Sequence, residues 1–323
     1  MINTQSSCED IYEDGLLSVE NALKHILENS PLITGHQQLP IEQARGYCIA
    51  EEIKAAFNVP AHNNSAVDGY AVHDDDLPEK ETVKLEIVGT ALAGKPYQGE
   101  VSSGECVRIM TGAVLPHGLK TVIMQEHVNV EGDSLEIGAT HKAGQNVRLA
   151  GEDLAHGQTV FKVGKYLTPP DIGLLASLGI AEIKVNRKLR VAIASSGDEV
   201  FGLGEKLSTS GIYDSNRYSL LAALDRPDIE VMDLGIIEDN PDTLLTTFQK
   251  AADYADLIIS TGGVSVGDAD YTKAALQASG EVDFWKIAIK PARPLAFGHI
   301  GKATFFGLAG NPVAVMVSFY QFV

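Results

Sequence analysis

The 323-residue sequence is short of cysteine, of positive charge and of long apolar runs, and each shortage removes a class of protein. Its three cysteines, Cys8, Cys48 and Cys106, are odd in number and far apart, so neither a disulfide framework nor a zinc knuckle is supported. None of the nine histidines stands three or four residues from another, which leaves a helical zinc hydrolase site without support. Lys and Arg number 25 against 43 Asp and Glu, and the net charge of −18 repels nucleic acid and anionic membrane surfaces. No apolar run reaches the ~18 residues of a membrane span, and Met1 to Gly15 lacks the apolar core of a signal peptide. The protein reads as soluble and cytoplasmic, with no nucleic-acid or membrane partner.

What is present is an ordinary globular balance, 45% apolar and 21% charged, in a chain long enough for two or three cores. Ser18 to Glu28 places Val19, Ala22, Leu23, Ile26 and Leu27 at helical spacing behind a Ser18 N-cap. A second helix is expected over Pro40 to Ala50. From Thr82 to Ile137, alternating runs separated by Gly, Pro, Asp and Ser predict a small antiparallel barrel or sandwich. After Asn186 the runs LRVAIAS, IEVMDLGII, DLIIST, DFWKIAI and ATFFGL alternate with helical stretches near 215–224, 241–255 and 271–278, the pattern of a doubly wound, mostly parallel α/β sheet. The expected fold class is therefore a multidomain α/β protein. Residues 1–57 and 147–187 would form a discontinuous domain, 58–146 a β-rich domain and 188–323 the α/β domain.

Ligands of open α/β sheets bind beyond the carboxyl ends of the strands, which directs attention to the loops after each apolar run. Ser195 to Glu199, Glu238 to Pro241, Ser260 to Asp270 and Gly310 to Pro312 lie there. The third is rich in Gly and small hydroxyls, so Thr261, Gly262, Gly263 and Ser265 could cradle a phosphate, or simply form a capped turn. Gly262 and Gly267 have the spacing of a Walker loop, but Asp268 and Ala269 replace the needed Lys and Ser or Thr, which excludes an ordinary P-loop ATPase. Glu199, Asp239 and Asp270 offer the oxygen ligands that Mg²⁺ prefers, the ion bridging them to an anionic substrate; singly, each could equally be a cap or a turn residue. Lys286 and Lys290 share parity in an extended strand, with Arg293 just beyond, and read either as an oxyanion site or as edge-strand surface charge. Asp68 and Thr111 lie in mid-chain motifs whose ordinary meaning is a turn and a strand end.

The combination of NSAVDGYAV, RIMTGA, GED at 151–153, SSGDE, IYDSN, LGIIEDNP, STGGVSVGDADYTK, FWKIAIKPARP and GLAGNPVA closely resembles the molybdopterin molybdenumtransferase family, to which the C-terminal domain of gephyrin is similar. The match runs from about residue 18 to 323. It implies a Mg²⁺-dependent reaction of adenylylated molybdopterin with molybdate, giving molybdenum cofactor and AMP. It also implies a homodimer in which Asp68 and Thr111 come from a partner subunit, and the molybdopterin adenylyltransferase is a further candidate partner. Carried over by motif, Asp68, Thr111, Glu199, Asp239, Asp270, Lys286 and Lys290 are the catalytic group, with Glu199, Asp239 and Asp270 on the metal. Ser65, Arg148, Asp153, Thr261, Gly262, Gly263, Ser265, Arg293 and Asn311 are placed with substrate.

The sequence departs from the family at Ala292-Arg293, where Gly-Lys is usual, and at Ala309, where Pro is usual. Arg presents a planar fork in place of a compact ammonium. The apolar ending at Val323 reads as a truncated product that lacks the family's last small β domain. Two other functions share the fold: a scaffold protein with a vestigial site, and a general Mg²⁺-dependent nucleotide pyrophosphatase.

Overall fold

A computed structural model of the chain describes residues 16–262 and 280–323. By internal packing it divides into two compact units, one of residues 1–50, 166–172 and 181–323, the other of residues 51–165 and 173–180.

The larger unit opens with α1 (Val19–Asn29), whose Ser18 side chain accepts from the Asn21 N–H and whose Ala22 and Ile26 are buried. Next comes β1 (His36–Pro40), followed by a single 3₁₀ turn over Ile41–Gln43. The helix expected over 40–50 does not form. Gly46 adopts φ +86°, and a Cβ there would lie 2.4 Å from the Pro227 ring. The backbone groups of this stretch find distant partners instead, Gly46 N–H on the Leu167 carbonyl and Ala50 N–H on the Lys184 carbonyl.

The smaller unit carries β2 (Ile53–Lys54), β3 (Asn64–Ser65), β4 (Gly69–Val72), β5 (Val83–Ala91), β6 (Glu105–Ile109), β7 (Thr121–Met124), β8 (Asn129–Glu131), β9 (Ser134–Ile137), β10 (Val147–Arg148) and β11 (Thr159–Phe161). Six of them form a sheet in the order β7-β4-β6-β5-β9-β8, antiparallel except for β5 beside β6. Alternation along the strands sends Tyr70, Val72, Leu85 and Cys106 to one cluster, and Ala71, Val107, Ile109 and Val122 to the other. Helix α2 (Pro169–Ser177) follows.

Back in the larger unit, β12 (Glu182–Asn186) pairs antiparallel with β1. Then come β13 (Leu189–Ser196), β14 (Val200–Phe201), β15 (Ile212–Tyr213), α3 (Asn216–Ala223), β16 (Ile229–Ile237), α4 (Pro241–Ala252), β17 (Leu257–Thr261), β18 (Gly280–Lys286), β19 (Pro294–Ile300), β20 (Ala303–Leu308) and α5 (Pro312–Phe322). The main sheet runs β16-β13-β17-β20-β19-β18, with the first four strands parallel and the last two antiparallel. Val191 and Ile193 pack with α1, α3 and α5 on one face, and their alternates Ala192 and Ala194 pack with α4 on the other. Buried apolar alternates on both faces are what a sheet covered by helices requires.

Two sequence expectations change here. The strand read as DFWKIAI ends at Lys286, and the chain then turns through Lys290 into β19, a strand the sequence reading passed over. The expected helix over 271–278 lies outside the described residues.

Candidate functional site

The four parallel strands end level with one another, Ser196 beside Ile237 and Ser195 beside Thr261, with Thr261 beside Leu308. The loops that leave these ends surround a pocket of about 50 Å³ lined by Ser195, Ser196, Glu199, Asp214, Asn216, Thr261, Gly262 and Gly310 among others. Gly262 is required where it stands: its φ is +83°, and a Cβ would lie 2.2 Å from the Ser196 carbonyl oxygen. The phosphate-cradle expectation is thus partly in view. Thr261 and Gly262 line the pocket, whereas Gly263, Ser265 and Asp270 lie outside the described residues.

Glu199 stands on the pocket wall with an exposed side chain. Asp239 is also exposed, one residue ahead of Asn240, whose side chain caps α4 by accepting from the Asp242 and Thr243 N–H groups. Asn311 plays the same part for α5: its Oδ1 accepts from Val313 N–H at 2.9 Å and Ala314 N–H at 3.2 Å, which leaves its amide NH₂ for other uses. Among the described residues no three His, Cys, Asp or Glu side chains are grouped to hold a metal.

Lys286 and Lys290 do not share a strand face. The extended strand stops at Lys286, the Lys290–Pro291 bond is cis, Ala292 has φ +85°, and the Ile287 N–H donates to the Arg293 carbonyl at 2.7 Å across the turn. Both lysines remain exposed, now on a turn instead of along one strand face.

Sequence reasoning missed a buried charge network behind the pocket. Asp214 and Arg217 are 3% and 8% exposed. Asp214 accepts from Arg217 Nε at 2.8 Å and from its main-chain N–H at 3.1 Å, and Arg217 reaches on to Asp233 in β16. Burial pulls the Arg217 pKa down, but the two carboxylates outweigh it and hold it above the ordinary arginine value. The available signal was the i, i+3 spacing of Asp214 and Arg217 at the start of a helix.

The smaller unit assembles its own constellation. Ser65 in β3 lies opposite Val147 in β10, and Asn64 opposite Arg148, which brings the NSAVDG and VRLAGED segments side by side. Asp68 Oδ1 accepts from the Thr111 N–H at 2.8 Å and from its hydroxyl at 2.7 Å. These two bonds, the main-chain one first, hold the Asp68 carboxyl below the usual aspartate range, with Arg108 adding a smaller pull. Arg148 pairs with Glu152 at 3.1 Å and with Asp153. Ser65 is buried, and its hydroxyl donates to the Val67 carbonyl at 2.5 Å. The structure thus brings Asp68 to Thr111 and Arg148 to Asp153, with Ser65 bracing the turn that carries Asp68.

Residues 17–179 match the family model described as MoeA N-terminal region (domain I and II), and residues 192–323 match a probable molybdopterin binding domain. The chain is 45% identical over 309 residues to the molybdopterin molybdenumtransferase of Haemophilus influenzae, covering 95% of this chain and 76% of that protein. It is 35% identical over 316 residues to the one from a Nostoc species, covering 95% and 72%. In three dimensions it resembles the crystal structure of the molybdopterin biosynthesis moeA protein from Pyrococcus horikoshii OT3, with a TM-score of 0.81, 28% identity and coverage of 95% of this chain and 77% of that one.

Proposed function

Because the chain belongs to the molybdopterin molybdenumtransferase family, we propose that it transfers molybdate onto adenylylated molybdopterin, releasing AMP and giving molybdenum cofactor. The observation that carries this reading is the pocket at the carboxyl ends of β13, β17 and β20, lined by Glu199, Thr261 and Gly262 among others. A family likeness alone says nothing of working residues; an open site where α/β sheets bind ligands does.

Mg²⁺ is part of the proposal, and the residues present fit it. Glu199 and Asp239 are exposed oxygen donors, and Mg²⁺ is commonly held by one or two carboxylates, with water and substrate phosphate completing its shell. When bound, Mg²⁺ would neutralise charge building on the phosphoanhydride and on the departing AMP. The chain's own side chains do the rest. Lys286, Lys290 and Arg293 supply positive charge to molybdate in an otherwise acidic protein, and the pocket orients the nucleotide or the pterin. Asp68, kept ionised by Thr111, contributes a fixed carboxylate. The reading includes a cytoplasmic homodimer and a hand-over of substrate from the molybdopterin adenylyltransferase.

Incubation with adenylylated molybdopterin, Mg²⁺ and molybdate, followed by chromatography of AMP, tests it. Molybdate-dependent AMP release is expected. Release that ignores molybdate and is equally fast on simple dinucleotides would identify a pyrophosphatase instead.

A further inference from the structure

The pocket has a polarity that its hydrogen bonds determine. Ser195 Oγ lies 3.0 Å from Asp214 Oδ1 and 3.0 Å from Thr261 Oγ1. A carboxylate accepts and a serine hydroxyl has one proton to give, so that proton goes to Asp214. The contact between Ser195 and Thr261 is therefore donated by Thr261. With its only proton directed at Ser195, Thr261 Oγ1 can offer a ligand nothing but lone pairs. Both Asp214 oxygens also accept from Arg217, Oδ2 from its Nε and Oδ1 from its main-chain N–H.

Two more groups at the pocket point the same way. The Asn216 amide nitrogen donates one proton to the Gly310 carbonyl at 2.8 Å, and its Oδ1 is buried without a partner. Ser196 is 3% exposed, and its hydroxyl also has no partner. Buried polar atoms left unpaired are uncommon and costly in folded proteins. Here they lie together with Thr261 around one pocket. Two obligate acceptors and one hydroxyl suit a ligand that brings N–H groups. Phosphate or molybdate oxygens would meet lone pairs at Thr261 and Asn216.

We propose that this pocket is a hydrogen-bond acceptor subsite for the amino or ring N–H edge of a heterocycle, and that Asp214 is the positioning residue that sets its polarity through Ser195 and Thr261. The phosphates would then fall to other groups. The proposal rests on the transferase reading only for the two heterocycles at issue, the pterin and the adenine of the substrate. A volume of about 50 Å³ admits an amino group or a ring edge, not a whole ring system.

Calorimetry on the intact chain with two pairs of probes tests it: AMP against purine riboside 5′-monophosphate, and pterin against 4-hydroxypteridine, each second member lacking the exocyclic amino group. One pair should show a preference of at least about fivefold for the amino-bearing member, the equivalent of one neutral hydrogen bond, and the pair that does so identifies which heterocycle enters. Thr261→Val and Asp214→Ala, which removes the acceptor of the Ser195 proton, should each reduce that preference below about twofold, while Thr261→Ser, which keeps the hydroxyl, should retain it. If Asp214→Ala does not fold, Ser195→Ala interrupts the same relay and leaves the bonds from Arg217 to Asp214 in place. Equal affinity within both pairs, absence of binding, or a preference that survives Thr261→Val and Ser195→Ala in folded protein overturns the proposal. AMP release from the true substrate judges the transferase reading separately, since the binding preference does not depend on turnover.

Discussion

The two units of the chain handle charge in opposite ways. In the larger unit Asp214 and Arg217 behind the pocket are buried, and each has several partners, Asp214 with Ser195 and Arg217, and Arg217 with the more exposed Asp233 as well. In the smaller unit Asp68, Thr111 and Asp153 are exposed, and their bonds lie at the surface, Asp68 with Thr111 across 43 positions of sequence and Arg148 with Asp153 within one turn. A buried pair carries a heavy penalty when one member is lost, whereas an exposed pair adds little to stability and can be altered at small cost. The larger unit therefore spends structure on holding groups in place, and the smaller one presents groups that water already reaches.

The sharpest way to break this contrast is Arg217→Ala, which strands Asp214 in the interior. Denaturant unfolding should show a loss of about 3–5 kcal/mol. Asp68→Ala in the smaller unit should cost less than about 0.5 kcal/mol by the same measurement. Similar losses for the two would mean that burial does not separate the units. Turnover should reverse the ranking of exposed residues: Asp239→Ala, at an exposed position, is expected to lower Mg²⁺-dependent AMP release at least about tenfold with the unfolding midpoint unchanged.

A smaller effect is expected at Thr111. Thr111→Val keeps the main-chain bond to Asp68 and removes the hydroxyl bond, so AMP release should fall by about fivefold, the value of one hydrogen bond, and Thr111→Ser should restore it. The smallest effect should come from an intermediate case in the larger unit. Arg187 and Asp256 form a two-bond pair at 2.7 Å with 28% of each side chain exposed. The bond from Arg187 holds the Asp256 carboxyl below its ordinary value of 3.8, against the opposing pull of burial. Its contribution to stability is therefore complete above that ordinary value and is lost as pH falls through the lower folded one. Asp256→Asn should remove this acid-limb dependence from thermal unfolding curves, and an unchanged limb would assign it to other carboxylates.

Much of this was legible in the sequence, and the failures have physical causes. The strands IEVMDLGII and ATFFGL are observed over the same residues, and α1 begins at its Ser18 cap, because apolar period and capping are local properties. Thr261 and Gly262 were placed at the end of a parallel strand, and they line a pocket there. The expected helix over 40–50 failed because Gly46 and its neighbours are committed to residues more than a hundred positions away. The parity argument for Lys286 and Lys290 failed because periodicity within a run does not say where the run stops. Asp214 and Arg217 went unassigned because a charged pair reads the same whether it is solvated or buried.

The sequence alone determined the family, the alternation that gives the sheet two covered faces and the set of oxygen donors beyond its strands, since all three are written in short runs of neighbouring residues. Tertiary structure decided which of those donors are free to act. Whether Thr261 gives or receives a hydrogen bond depends on Ser195, Asp214 and Arg217, which only the level ends of β13 and β17 and the start of α3 link in a chain of contacts of 3.0 Å or less.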